Sequence, residues 1–177
     1  MRVLPRTYFG NPILRKRSRD VAANFARTVA GKRLIAQMFY TMRRANGVGL
    51  AAPQIGKGVR LAVIELYPTS LRRDLAKAEK VVVVNPKITW RSKEKAYDWE
   101  GCLSFPGVRG RVPRAKRIKV RYIDSEGQPV TAELSGFPAR VFQHEIDHLD
   151  GVVYVDHIDD MKTLMTTGEF VKRILKT

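Results

Sequence analysis

The stretch His144-Glu145-Ile146-Asp147-His148 constrains this chain more than any other. Histidines four positions apart on a helix lie on one face, so both imidazoles can converge on one cation. Glu145, next to the first of them, can reach a water activated by that cation without itself being a ligand. Two imidazoles do not complete a protein metal site. Whatever fold the chain adopts must bring a third ligand to this helix from another element. The pattern alone is moderately specific, because some matches are only charged helix faces.

The helix is predicted to begin near residues 135–138, where Pro138 is tolerated in the first turn, and to stop before Gly151. Phe137, Val141, Ile146 and Leu149 anchor it in the core. Upstream, Leu34, Ile35, Met38, Phe39 and Met42 recur at helical spacing over about residues 25–44 and stop before Asn46-Gly47. Residues 59–66 and 81–88 are short β-branched runs that read as strands, and the polar, basic residues 67–80 between them read as a surface loop or short helix. Residues 118–122 alternate apolar and basic side chains, Asp124-Ser125-Glu126-Gly127 supplies a turn, and a strand returns over 130–134. A last amphipathic segment, about residues 160–176, carries Leu164, Phe170, Val171, Ile174 and Leu175. The order predicts an α+β fold: antiparallel strands or sheets packed around a central H-E-x-x-H helix, with an N-terminal and a C-terminal helix. No repeat or linker divides the chain, so residues 1–177 read as one domain.

Composition excludes several classes. Hydrophobic content of 44% and charged content of 28% fit a soluble globular protein, and no apolar run approaches the ~20 residues that span a bilayer. Met1-Arg2-Val3-Leu4-Pro5 lacks the apolar core of a signal peptide. The basic residues Arg15, Lys16, Arg17 and Arg19 invite comparison with an organellar transit peptide, but Gly10-Asn11-Pro12 and Asp20 interrupt that pattern. With Cys102 the single cysteine, no intramolecular disulfide forms and a reducing compartment, the cytoplasm of a bacterial-type cell, is the simpler expectation. The net charge of +16 attracts polyanions such as RNA. The charge is scattered, however, and no RNA-binding signature appears, so sequence-specific nucleic-acid binding is not expected.

Two places offer the third ligand. Downstream, the extended pattern H-E-x-x-H-x-x-G-x-x-H is matched up to Gly151 but ends on Tyr154, and His157, Asp156 and Asp159 fall at no justifiable spacing. Upstream, Glu100-Gly101-Cys102-Leu103-Ser104 sets the thiol beside a glycine that lets backbone approach closely. A lone cysteine is by default a small buried hydrophobe, yet a thiolate with two imidazoles is a reasonable three-ligand set that leaves a fourth position for water. A third segment, Gly47-Val48-Gly49-Leu50-Ala51-Ala52-Pro53-Gln54-Ile55-Gly56, reads either as backbone approaching a ligand or as a tight turn with Gln54 solvated.

Taken in order, G-φ-G-L-A-A-x-Q (residues 47–54), E-G-C-L-S (100–104) and Q-H-E-x-D-H (143–148) resemble the peptide deformylase family closely, as does the opening Asn11-Pro12-Ile13-Leu14-Arg15. The resemblance implies a metal-dependent hydrolase that removes the N-formyl group from the formyl-methionine of newly made polypeptides and releases formate. It implies Cys102, His144 and His148 as ligands of one divalent ion, iron(II) in the cell, with zinc, nickel or cobalt accepted by the same set. Glu145 would move the proton, while the Gln54 side chain and the Leu103 N–H would receive the oxyanion. The peptide would lie extended along Val48-Gly49, with Gly101, Phe137, Arg140 and Val141 completing the substrate site. Arg140 stands where many bacterial members carry an aliphatic residue, and Gly136-Phe137-Pro138-Ala139-Arg140 looks like organellar-type members, so the polarity of the methionine pocket stays open. Arg109 would steer the peptide's carboxyl end or simply be exposed, and Asp147 would support an imidazole or face solvent. Two rivals stand: a zincin peptidase using only the helix, and a basic RNA- or ribosome-binding protein with an inactive vestige of an enzyme. The basic terminal residues Lys162, Lys172, Arg173 and Lys176 are the expected ribosome contact.

Overall fold

The computed structural model describes residues 1–67 and 80–175, so the excursion expected at 67–80 lies almost wholly outside the described residues. Helix α1, Val29–Arg44, is capped by the Thr28 hydroxyl accepting from Gly31 N–H. That cap explains why the helix starts later than its apolar spacing suggests: Phe25–Arg27 forms a separate 3-10 turn. The strands follow as β1 Gly49–Ala51, β2 Leu61–Glu65, β3 Lys80–Arg91, β4 Lys95–Cys102, β5 Phe105–Ala115, β6 Arg117–Ile123 and β7 Pro129–Ser135. Helix α2, Gly136–Asp150, carries the H-E-x-x-H residues and ends on Gly151 at φ 79°. Strand β8, Met165–Thr166, leads into helix α3, Thr167–Phe170, which continues as a π turn over Val171–Leu175. Among the described residues no helix is long and apolar enough to cross a membrane.

Five strands form an antiparallel sheet in the order β1-β2-β3-β6-β7. Strand β2 is buried on both faces, and its alternate side chains serve two cores. Leu61 and Val63 pack with Met38 and Met42 of α1, while Ala62 and Ile64 pack with Ile146 and Leu149 of α2. The expected α+β arrangement around a central helix is what forms.

Two elements differ from expectation. The strands of a second antiparallel sheet, β4-β5-β8, are not among those the sequence pattern marks. Its strands lack an apolar alternation because interior positions are filled by Glu100 and Arg114, both 5% exposed, and because Pro106, Gly107, Gly110 and Pro113 interrupt the run. The C-terminal helix is also shorter than residues 160–176. Asp160 caps a 3-10 turn over Met161–Thr163, and Thr166 and Met165 then pair with Val108 and Arg109 of β5. Helix begins only after that pairing, with Phe170 buried against Trp99 at 5.3 Å between ring centroids.

Candidate metal centre

Strand β4 and helix α2 meet at the thiol and the two imidazoles. A register shift between Gly101 and Cys102 ends the regular β4–β5 pairing, and such a bulge re-aims a side chain. It delivers Cys102 Sγ to 3.2 Å from His148 Nε2. The rings of His144 and His148 stand 5.0 Å apart and nearly perpendicular at 78°. One donor atom from each of Cys102, His144 and His148 lies within 4.8 Å of the others.

The downstream candidates have other partners. Asp156 pairs with Arg15 and accepts from Val153 N–H, and Asp159 accepts from the Tyr97 hydroxyl at 2.7 Å. Tyr154 stacks on His144 with 6.1 Å between ring centroids, and its hydroxyl donates to Val108 O at 3.3 Å. His157 pairs with Asp147 at 2.9 Å. Asp147 is thus neither solvent-facing nor the partner of a clustered imidazole: it joins His157 to Arg114.

The partner of His144 is Glu100, whose Oε2 lies 2.9 Å from Nδ1. This contact leaves Nε2 as the nitrogen available toward Cys102. Sequence reading missed Glu100, which stands on the same strand as Cys102, in the same E-G-C segment. Burial opposes charge on Glu100, but the hydrogen bond with His144 and the charge of Arg114 hold its carboxyl far below the usual range. Burial likewise opposes a Cys102 thiolate, yet the charge of His148 and the hydrogen bond with His144 pull the thiol well down. His144 is raised well above its ordinary value, against burial, by hydrogen bonds with Cys102 and Glu100. A stabilised thiolate beside imidazoles whose protons can be exchanged for a cation is the donor chemistry of a zinc- or iron-type site.

Glu145 points into the same place and is 4% exposed. Burial pushes its carboxyl up to about 7, and Oε2 has no hydrogen-bond partner among the described residues. A buried, unpaired carboxylate oxygen beside this donor set fits a cation and the water it activates. Gly49 makes the placement possible, because a Cβ there would stand 2.2 Å from Glu145 Oε1.

Gln54 is 1% exposed, which rules out a solvated turn residue. Its Oε1 accepts from Ala51 N–H at 2.8 Å, so Nε2 is turned toward Cys102 Sγ at 3.3 Å and Ser104 Oγ at 3.4 Å. Around these groups lies a cavity of about 550 Å³ that Val48, Gly49, Gly101, Leu103, Phe137 and Val141 line. Strand β1 ends its sheet, so its free edge is available to this cleft. The Arg109 guanidinium stacks over Phe170 at 5.2 Å, and both line the cavity together with Ile174 and Leu175. Arg140 also borders the cavity, and its charge is taken up by buried acceptors. The guanidinium donates to Glu100 Oε1 at 2.8 Å, Val112 O at 2.9 Å and Ala96 O at 2.6 Å.

A profile of the family described as polypeptide deformylase matches residues 3–164. The chain belongs to the polypeptide deformylase family. Peptide deformylase 2 of Nostoc sp. is 38% identical over 174 residues, covering 98% of this chain and 96% of that one. The peptide deformylase of Thermotoga neapolitana is 44% identical over 157 residues, covering 89% and 88%. Among solved structures, the Met-Ala-Ser-bound class I type b peptide deformylase of Acinetobacter baumannii superposes with a TM-score of 0.85 at 39% identity, covering 89% of this chain and 99% of that one. Membership makes this chain an enzyme, a hydrolase.

Proposed function

We propose that the chain hydrolyses the N-formyl group from the N-terminal formyl-methionine of newly made polypeptides and releases formate, using a divalent ion held by Cys102, His144 and His148. One observation carries this reading: donor atoms of a thiol from β4 and two imidazoles from α2 lie within 4.8 Å of one another beside a buried Glu145 carboxylate whose Oε2 has no hydrogen-bond partner among the described residues. Bound there, the cation supplies Lewis acidity and lowers the pKa of water. Glu145 takes the proton of the attacking water and delivers it to the leaving nitrogen. Gln54 Nε2, held by its own Oε1 contact to Ala51, donates to the developing oxyanion with the Leu103 N–H. A single such donor is worth ~3 kcal/mol.

The formyl peptide adds to the free edge of β1 at Val48-Gly49, with Gly101 facing it from the other wall. Val48, Phe137 and Val141 enclose the methionine side chain, and Arg140 contributes the aliphatic part of its side chain to that wall. The Met-Ala-Ser tripeptide in the Acinetobacter relative supports a ligand of this type. Iron(II) is the metal favoured in the cell, with zinc, nickel or cobalt held by the same ligands. The 177 residues act as one catalytic domain in the cytoplasm. Basic residues near the C-terminus keep the enzyme close to ribosomes through charge alone, with no sequence-specific nucleic-acid contact and no membrane contact. Charge reversal at Lys172 and Arg173, both on the exposed C-terminal turn, should weaken salt-sensitive cosedimentation with ribosomes. Unchanged cosedimentation contradicts that part.

The direct test is metal analysis of anaerobically purified protein together with formate release from formyl-Met-Ala-Ser. The expected result is one metal per chain and formate equimolar with free Met-Ala-Ser. Cleavage between methionine and alanine, without formate, would instead identify a zincin peptidase.

A further inference from the structure

We infer that Arg140 is a positioning residue that sets the geometry of the metal ligands from one turn before His144, acting through Glu100. The inference rests on the ligand set proposed above and adds a residue to what supports it.

The three ligands come from two elements that are not adjacent in the chain, so something must fix the hairpin against the helix. Arg140 and His144 are four apart on α2 and share a face, and both reach Glu100. A carboxylate offers about four lone-pair sites, and here four contacts occupy them. Arg114 donates with Nε to Oε1 at 2.9 Å and with Nη2 to Oε2 at 3.0 Å. Arg140 Nη1 takes the second place on Oε1 at 2.8 Å, leaving the second place on Oε2 for His144 Nδ1 at 2.9 Å. Arg140 thereby decides which oxygen is left for the imidazole.

The same guanidinium also reaches the backbone of both hairpin strands, through Ala96 O of β4 and Val112 O of β5. It is therefore a clamp between the helix that carries His144 and His148 and the hairpin that carries Cys102. Its side chain is 6% exposed and that of Glu100 5%, so water does not readily replace these bonds. Charge also balances: the carboxylates of Glu100 and Asp147 face the guanidiniums of Arg114 and Arg140. An aliphatic side chain at this position would leave a surplus negative charge beside His144 and an unfilled site on Oε1.

The test is cobalt(II) affinity, by chelator competition on the visible bands of the cobalt-loaded protein, for the parent, Arg140→Met and Arg140→Lys. Arg140→Met should bind about 10–100-fold more weakly, with an altered thiolate-to-cobalt band, and Arg140→Lys should recover part of the loss. Circular dichroism and the melting midpoint of metal-free protein are measured in parallel. A lower midpoint with unchanged cobalt affinity and band would show a merely structural clamp and overturn the inference. If Arg140→Met does not fold, Arg140→Lys decides alone: weaker binding with an altered band supports the inference, and parent-like binding overturns it. Failure of the parent itself to bind cobalt through its thiolate would count against the proposed ligand set instead.

Discussion

Helix α2 and the β4–β5 hairpin meet at one site and reach it by different physics. On α2 the periodicity of the helix itself sets His144, Glu145 and His148 relative to one another, so three functional side chains are fixed by local spacing. Cys102 has no such local guarantee. It is placed by a register shift at the end of β4 and by buried ion pairs that tie the hairpin to the helix. Substitution of Glu145, which is not a ligand, should therefore remove chemistry and leave metal and fold in place. Substitutions in the hairpin's charge network should disturb fold and metal together.

The largest effect expected from that contrast is at Glu145. Glu145→Gln should lower kcat by about 10²–10⁴-fold while metal content and melting midpoint stay at the parent values. Metal lost in step with activity would erase the distinction between the two regions. On the hairpin, Arg114 donates to both Glu100 and Asp147. Removing one member of a buried pair costs about 3–5 kcal/mol, so Arg114→Met should show that loss in urea unfolding together with weaker metal retention. A stable variant that keeps its metal would show that register alone holds Cys102. Gln54 stands between the regions, touching the thiol from the β1 side. Gln54→Ala should cost about 10²–10³-fold in kcat with KM nearly unchanged, and a KM effect instead would make Gln54 a binding residue. The smallest effect is steric. Gly49→Ala puts a methyl 2.2 Å from Glu145 Oε1, so about 1–3 kcal/mol of stability should be lost as the carboxylate is displaced. Parent-like stability and kcat would mean that Glu145 has another place to go.

The same contrast explains what the sequence made legible. The H-E-x-x-H helix, α1 and the strands β2, β3, β6 and β7 have apolar residues at the periods that strands and helices impose, and a reading of spacing finds them. The β4–β5 hairpin hides because its inward positions hold Glu100, Arg114 and a cysteine in place of valine or isoleucine. Its pairing is long-range, with Lys95 opposite Ala115 and Gly101 opposite Arg109. The partners of Arg140 are hidden for a related reason. Its sequence position leaves the polarity of the pocket open, and only the folded hairpin supplies the carboxylate and two carbonyls that take its charge. The end of the chain differs because two residues, Met165 and Thr166, extend a sheet. No helical periodicity announces that pairing.

The measurement that tests the central claim most directly is metal content and formate release for Cys102→Ala beside the parent, both purified anaerobically. With the thiolate as third ligand, the parent holds one metal per chain and releases formate from formyl-Met-Ala-Ser, and the variant, folded by circular dichroism, loses both. A Cys102→Ala protein that kept stoichiometric metal and released formate at the parent rate would contradict the account.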